Sequence, residues 1–156
     1  IRPFDKGDYV EVAGYSGVVE GIGVMSTILK TWDNVVITIP NRNIWGAPIV
    51  NYSREPIRRI TLNIGVAYGT DLDRAINVAM QVIKNNPKVL SNPEPAVVVT
   101  ELGDSSINLQ LRAWVKKEDF GAAKADLIMT IYKEFAKAGI EIPFPQLDVH
   151  IRDMPK

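Results

Sequence analysis

The sequence of 156 residues contains no cysteine and a single histidine, His150. The first absence excludes disulfides, thiolate nucleophiles and cysteine-ligated zinc or iron–sulfur centres. The second leaves little for a histidine-rich metal site. No apolar run approaches the roughly 18 residues that crossing a bilayer requires. Net charge is missing too, with 18 basic groups against 18 acidic ones. That balance speaks against a protein whose main task is to coat nucleic acid or anionic lipid, because such affinity rests on clustered positive charge. What is present, 46% hydrophobic and 23% charged residues, is the composition of a folded globular chain. The chain opens on Ile rather than Met, and a piece of a longer protein is expected.

Two patterns divide the chain. Residues 1–53 are rich in Val, Ile and Gly and show no helical period. Short apolar runs (Tyr9–Val12, Val18-Val19, Ser26–Leu29, Val35–Ile39) are separated by Gly14, Gly17, Gly21, Gly23 and the pair Asp33-Asn34. Closely spaced short strands of this kind predict a small barrel, with the glycines at its bends and a hairpin turn at Asp33-Asn34. Pro56 lacks a backbone donor and biases Glu55 away from helix, so a boundary is expected in Asn51–Pro56. A barrel of about 50 residues buries little surface. Trp45, Ile49 and Val50 near its exit therefore call for partners.

From Ile57 the period changes. Ile60, Leu62, Ile64, Val66 and Tyr68 alternate with polar residues and predict a strand with one buried face. Thr70 with Asp73 has capping-box spacing, and Leu72, Ile76, Ala79, Met80 and Ile83 share one helical face that ends near Asn85-Asn86-Pro87. Strands follow at Ala96–Leu102 and Ile107–Val115 around a Gly103-Asp104-Ser105 turn. A second helix carries Phe120, Leu127, Ile128, Ile131 and Phe135, with Gly139 as its stop. The order β-α-β-β-α is ferredoxin-like. A last alternating run, Leu147–Arg152, follows Pro143 and Pro145. It suits the centre of the preceding sheet poorly and is expected to pair outside its own domain.

Pro3-Phe4 with Gly7-Asp8, Gly14-x-x-Gly17-x-Val19, Thr27 and Ile39-Pro40-Asn41 form one series of signatures. Asn51–Pro56, Gly65–Tyr68, Glu101–Gly103 with Ser105–Ile107, and Gly139-Ile140 leading to Pro143–Gln146 continue it. In this order the chain resembles the cytoplasmic part of the small-conductance mechanosensitive channel (MscS) family, without that family's transmembrane helices. The resemblance implies a mixed fold in three parts. These are a small all-β Sm-like (SH3-like) barrel domain at 1–53, an α/β ferredoxin-like domain at 54–141, and a C-terminal strand at 142–156 belonging to a parallel β-barrel shared between subunits. It implies a homo-heptamer at the cell's inner membrane, this segment lying on the cytoplasmic side and lipid meeting only the absent helices. It implies tension-gated release of ions and small solutes in hypoosmotic shock. The segment would act as a sieve and support, with no enzymatic activity, no cofactor and no nucleic-acid partner.

Several sharper readings compete with plainer ones. The Gly14–Gly23 series lacks the following helix that a phosphate loop needs. Asp71 and Asp73 are explained by a helix start more simply than by a cation. Asn51-Tyr52-Ser53 matches a glycosylation sequon, but Asn, Ser and Arg beside a proline also lock turns. Neither Ser105 nor Ser106, set against His150, has a nucleophile-elbow pattern around it. Arg54, Arg58 and Arg59 make the most basic short window. They are either a solvated strand edge or, at the portals that the resemblance implies, an anion-favouring filter multiplied by sevenfold repetition. Leu147, Asp148, Val149, His150, Ile151 and Arg152 are the candidate axial-barrel residues, and either alternate set can face the hole. The rival class is an RNA-binding module of Sm-like plus RRM-like type. Trp114 near Arg112 and Lys116 is its main support, without an RNP-like aromatic pair.

Overall fold

A computed structural model describes residues 2–153, and these fall into two compact units that divide after Pro56. The first contains β1 (Tyr9–Val12), β2 (Tyr15–Ile22), β3 (Ser26–Lys30), β4 (Val36–Pro40), a single helical turn α1 (Asn41–Ile44) and β5 (Ile49–Asn51). These strands form one antiparallel sheet in the order β4-β3-β2-β1-β5. The paired register leaves β4 and β5 as its two edges.

Alternation explains the core of this unit. Val10 and Val12, Val19, Leu29 and Ile39 turn inward with Phe4 and Ile44. The curl of β2 comes from two local features. Its register with β3 shifts between Val19 and Gly21, a bulge that bends the strand. At Gly17 a Cβ would meet the Lys30 carbonyl oxygen at 2.9 Å, so only glycine lets the strands approach this closely. The expected turn at Asp33-Asn34 is formed, with Asn34 at φ 67° and the Thr31 amide donating to the Val35 carbonyl at 2.9 Å.

The second unit contains β6 (Ile57–Val66), α2 (Leu72–Asn85), β7 (Ala96–Leu102), β8 (Ile107–Lys116), a 3-10 turn (Lys117–Asp119) and α3 (Phe120–Lys137). Its antiparallel sheet runs β6-β8-β7. The odd-numbered residues of β8 from Ile107 to Val115 are buried, with Ile60, Leu62, Val66 and Val97 on the flanking strands. Ala75, Ala79, Val82 and Ile83 of α2 and Ala123, Leu127, Ile131 and Phe135 of α3 join the same cluster. Both helices therefore cover one face of the sheet, and among the described residues no helix covers the other.

The helix ends correct one expectation. Thr70 does not cap α2: its hydroxyl donates to the Ala67 carbonyl at 2.6 Å, closing the preceding turn. The capping residue is Asp71, whose carboxylate accepts from the Arg74 amide at 3.2 Å. The end of α3 is a Schellman arrangement. Gly139 has φ 70°, the Ile140 amide donates to the Phe135 carbonyl at 2.9 Å, and both of those side chains are buried. Beyond it, residues 141–152 form no strand within the chain. The tail is held by the Ala67 amide donating to the Glu141 carbonyl at 3.0 Å and the Gln146 amide donating to Ser105 Oγ at 3.0 Å.

Candidate functional site

The three arginines of the basic window go to different places. Arg54 lies in the first unit, in a knot of hydrogen bonds that begins at Asn51. The Asn51 carboxamide oxygen accepts from the Ser53 and Arg54 amides, both at 2.9 Å, making an Asx-type turn. Its nitrogen donates to the Pro3 carbonyl at 3.1 Å and to Asp8 at 3.0 Å. Ser53 Oγ accepts from the Tyr9 amide at 2.9 Å, and the Arg54 guanidinium donates to the Arg2 carbonyl at 2.7 Å. The sequon-like triplet thus reads as a turn that ties residues 51–54 to residues 2–9.

Arg58 and Arg59 are neighbours on β6, so the pleat sends them to opposite faces. Arg58 shares its face with Ile60 and Leu62, and its guanidinium carbon stands 3.6 Å from the centroid of the Phe120 ring. This cation–π placement at the start of α3 uses Arg58 for packing. Arg59 is exposed on the uncovered face, where its Nε donates to Thr61 Oγ1 at 3.2 Å.

The uncovered face carries a polar ladder. Register places Arg59 opposite Trp114, Thr61 opposite Arg112 and Asn63 opposite Gln110. Arg112 Nε donates to Gln110 Oε1 at 2.7 Å, and Gln110 Nε2 donates to Asn63 Oδ1 at 3.1 Å. At the far end Ser106 donates to Asn108 at 2.8 Å, and Asn108 reaches Glu101 at 3.4 Å. Sequence places Arg112 only beside Trp114, in the RNA-binding reading, and gives Gln110 no role. The alternation of β8 put them on one face, but only the strand register shows that Arg59 shares it.

The tail candidates Leu147, Asp148, Val149, His150, Ile151 and Arg152 are all exposed. Leu147, Val149 and Ile151 are 85%, 70% and 65% exposed, and Phe144 is 84% exposed. Neither serine of the turn is arranged as a nucleophile: Ser105 accepts from the tail and Ser106 serves Asn108. Among the described residues, no three His, Asp or Glu side chains group around a possible ion. Among them, too, no helix is long and apolar enough to cross a membrane.

The chain is thus built of two units, one a β-sheet and the other a helix-covered sheet followed by an exposed apolar tail. Residues 1–54 match the family model of the mechanosensitive ion channel beta-domain, and residues 60–142 match that of the mechanosensitive ion channel MscS C-terminal region. The chain is 43% identical over 148 residues to an uncharacterized MscS family protein of Synechocystis, covering 95% of this chain and 50% of that protein. It is 37% identical over 150 residues to the small-conductance mechanosensitive channel of Edwardsiella ictaluri, covering 96% and 52%. The crystal structure of Helicobacter pylori MscS in its closed state superposes with a TM-score of 0.91 at 33% identity, over 97% of this chain and 60% of that one. The chain belongs to the MscS family of mechanosensitive ion channels. It spans about half the length of the curated relatives it matches.

Proposed function

We propose that this chain is the vestibule-forming part of a mechanosensitive channel that lets out ions and small solutes in hypoosmotic shock. In this reading the Sm-like unit at 1–53 builds a ring and the ferredoxin-like unit at 54–141 builds the wall of a hollow cage. The segment 142–156 supplies one strand of a sevenfold axial barrel. The cage lies on the cytoplasmic side of the inner membrane, screens what passes and braces the pore, without catalysis. Arg54 and Arg59 contribute positive charge to its openings, and so does Arg58 from β6, where its guanidinium rests over Phe120.

The observation that carries this reading is the tail. Leu147, Val149 and Ile151 hold large apolar side chains in water, in a run that alternates like a strand yet has no strand beside it among the described residues, and Phe144 ahead of them is exposed as well. Such surface calls for a partner, and identical copies supply one with matching alternation. The β4 and β5 edges of the first sheet ask for the same treatment. No observation favours RNA instead, since the uncovered face of the second sheet offers one aromatic, the half-buried Trp114.

Sedimentation velocity of the chain tests the assembly. A sevenfold mass that falls when the chain is cut after Glu141 is expected. A monomer at all concentrations would refute self-assembly through these surfaces.

A further inference from the structure

The uncovered face of the β6-β8-β7 sheet is electrically lopsided. Arg59 and Arg112 occupy diagonal positions on adjacent strands, and register puts Lys116 on the same face at the end where β6 begins. The carboxylate of that face, Glu101, pairs in register with Asn108, four residues along β8 from Arg112. That is about 13 Å at strand rise. No ion pair holds Arg59 or Arg112 among the described residues.

The guanidinium groups are also pre-positioned. Arg59 spends Nε on Thr61 and Arg112 spends Nε on Gln110, both neutral acceptors on the same face. Each side chain is thereby laid along its strand, and its terminal nitrogens remain available for a ligand. Arg59's head comes over the Thr61 row and Arg112's over the Asn63–Gln110 row. One strand spacing across and two residues along separates these positions by about 8 Å. A single carboxylate between two guanidinium forks, with charge-assisted bonds of about 2.8 Å to each, spans such a gap. Thr61 and Asn63 each keep a proton donor beside it, since Thr61 Oγ1 and Asn63 Oδ1 serve as acceptors in the ladder.

We propose that Arg59 and Arg112 form a weak site for small organic carboxylates on this open sheet face. Planar forks select a planar oxyanion over a spherical one, so the site distinguishes a carboxylate from chloride. It lies on an open sheet face, with Arg59 exposed and Arg112 half-buried, and exchanges quickly, as a site along a permeation path must. The binding is a property of this face alone, while its use in solute passage rests on the function proposed above.

The test is a nitrogen-15 NMR titration of the whole chain with succinate at constant ionic strength, following the arginine Nε–H and Trp114 indole signals. Saturable shifts at Arg59 and Arg112 with a millimolar midpoint are expected, absent with an equal addition of chloride. Arg59→Gln and Arg112→Gln should each weaken binding about tenfold. Arg112→Lys keeps the charge but not the fork and should also weaken it. Equal response to chloride, unchanged binding in both Gln variants, or full retention in Arg112→Lys would each overturn the site. Sedimentation reads assembly separately, so failure here leaves the channel reading where it stood.

Discussion

The two units solve the stability problem differently. Among the described residues, the second buries eighteen apolar side chains in one cluster between its sheet and two helices. The described residues of the first bury seven and add long-range hydrogen bonds from a few polar side chains. Thr27, buried inside the first unit, donates to Asn41 at 2.8 Å. Asn41 donates in turn to the Gly23 and Val24 carbonyls at 2.8 and 3.0 Å. With Asn51, Ser53 and Arg54 at the other end, these bonds join stretches far apart in sequence. A small sheet with few layers to pack gains definition from polar brackets, and a helix-covered sheet has less need of them.

Five substitutions separate the two modes, beginning with the largest effect. Phe135→Ala removes a fully buried ring and should cost the second unit about 3–5 kcal/mol. Urea unfolding followed by NMR should show β6–β8 signals lost early while those of β1–β5 hold. Concerted loss in both units would break the comparison. Asn41→Ala should cost the first unit about 1–3 kcal/mol, because it strands the buried Thr27 hydroxyl without its acceptor; here β1–β5 should melt first. Gly139→Ala places a Cβ at φ 70° and should cost the second unit about 1 kcal/mol, visible as a lowered urea midpoint. Arg58→Gln should cost about 0.5–1 kcal/mol through Phe120, whereas Arg59→Gln should stay within about 0.5 kcal/mol. Equal losses from the two arginines would mean that facing does not divide their roles. On the function proposed above, reversing Arg54, Arg58 and Arg59 together in a full-length channel should shift the reversal potential toward cations, and an unchanged potential would sink the filter role.

Much of this architecture was legible because apolar period and backbone chemistry act locally. The course of β8, the end of α2 at Asn85 and the stop at Gly139 followed from alternation, a proline and a left-handed glycine. The cap of α2 misled because Thr70 had a nearer use, a bond to Ala67 that closes a turn, and Asp71 took the capping role. The site was harder. Arg54, Arg58 and Arg59 are adjacent in sequence, yet the pleat separates Arg58 from Arg59 and the Asn51 turn engages Arg54. Arg112 lies more than fifty residues from Arg59 and joins it only through strand register, which no local pattern encodes.

The knot between residues 2–9 and 51–54 has a mechanical side. It sets the two ends of the first unit next to each other, so a pull on Arg2 and Arg54 does not travel through the five strands. It loads the Arg54–Arg2 bond and the Asn51 carboxamide's grip on the Pro3 carbonyl first. The sheet is bypassed like a spring with its ends clipped together. Breaking the clip, with Asn51→Ala for instance, would put the same pull across the strand pairs β1–β2 and β1–β5.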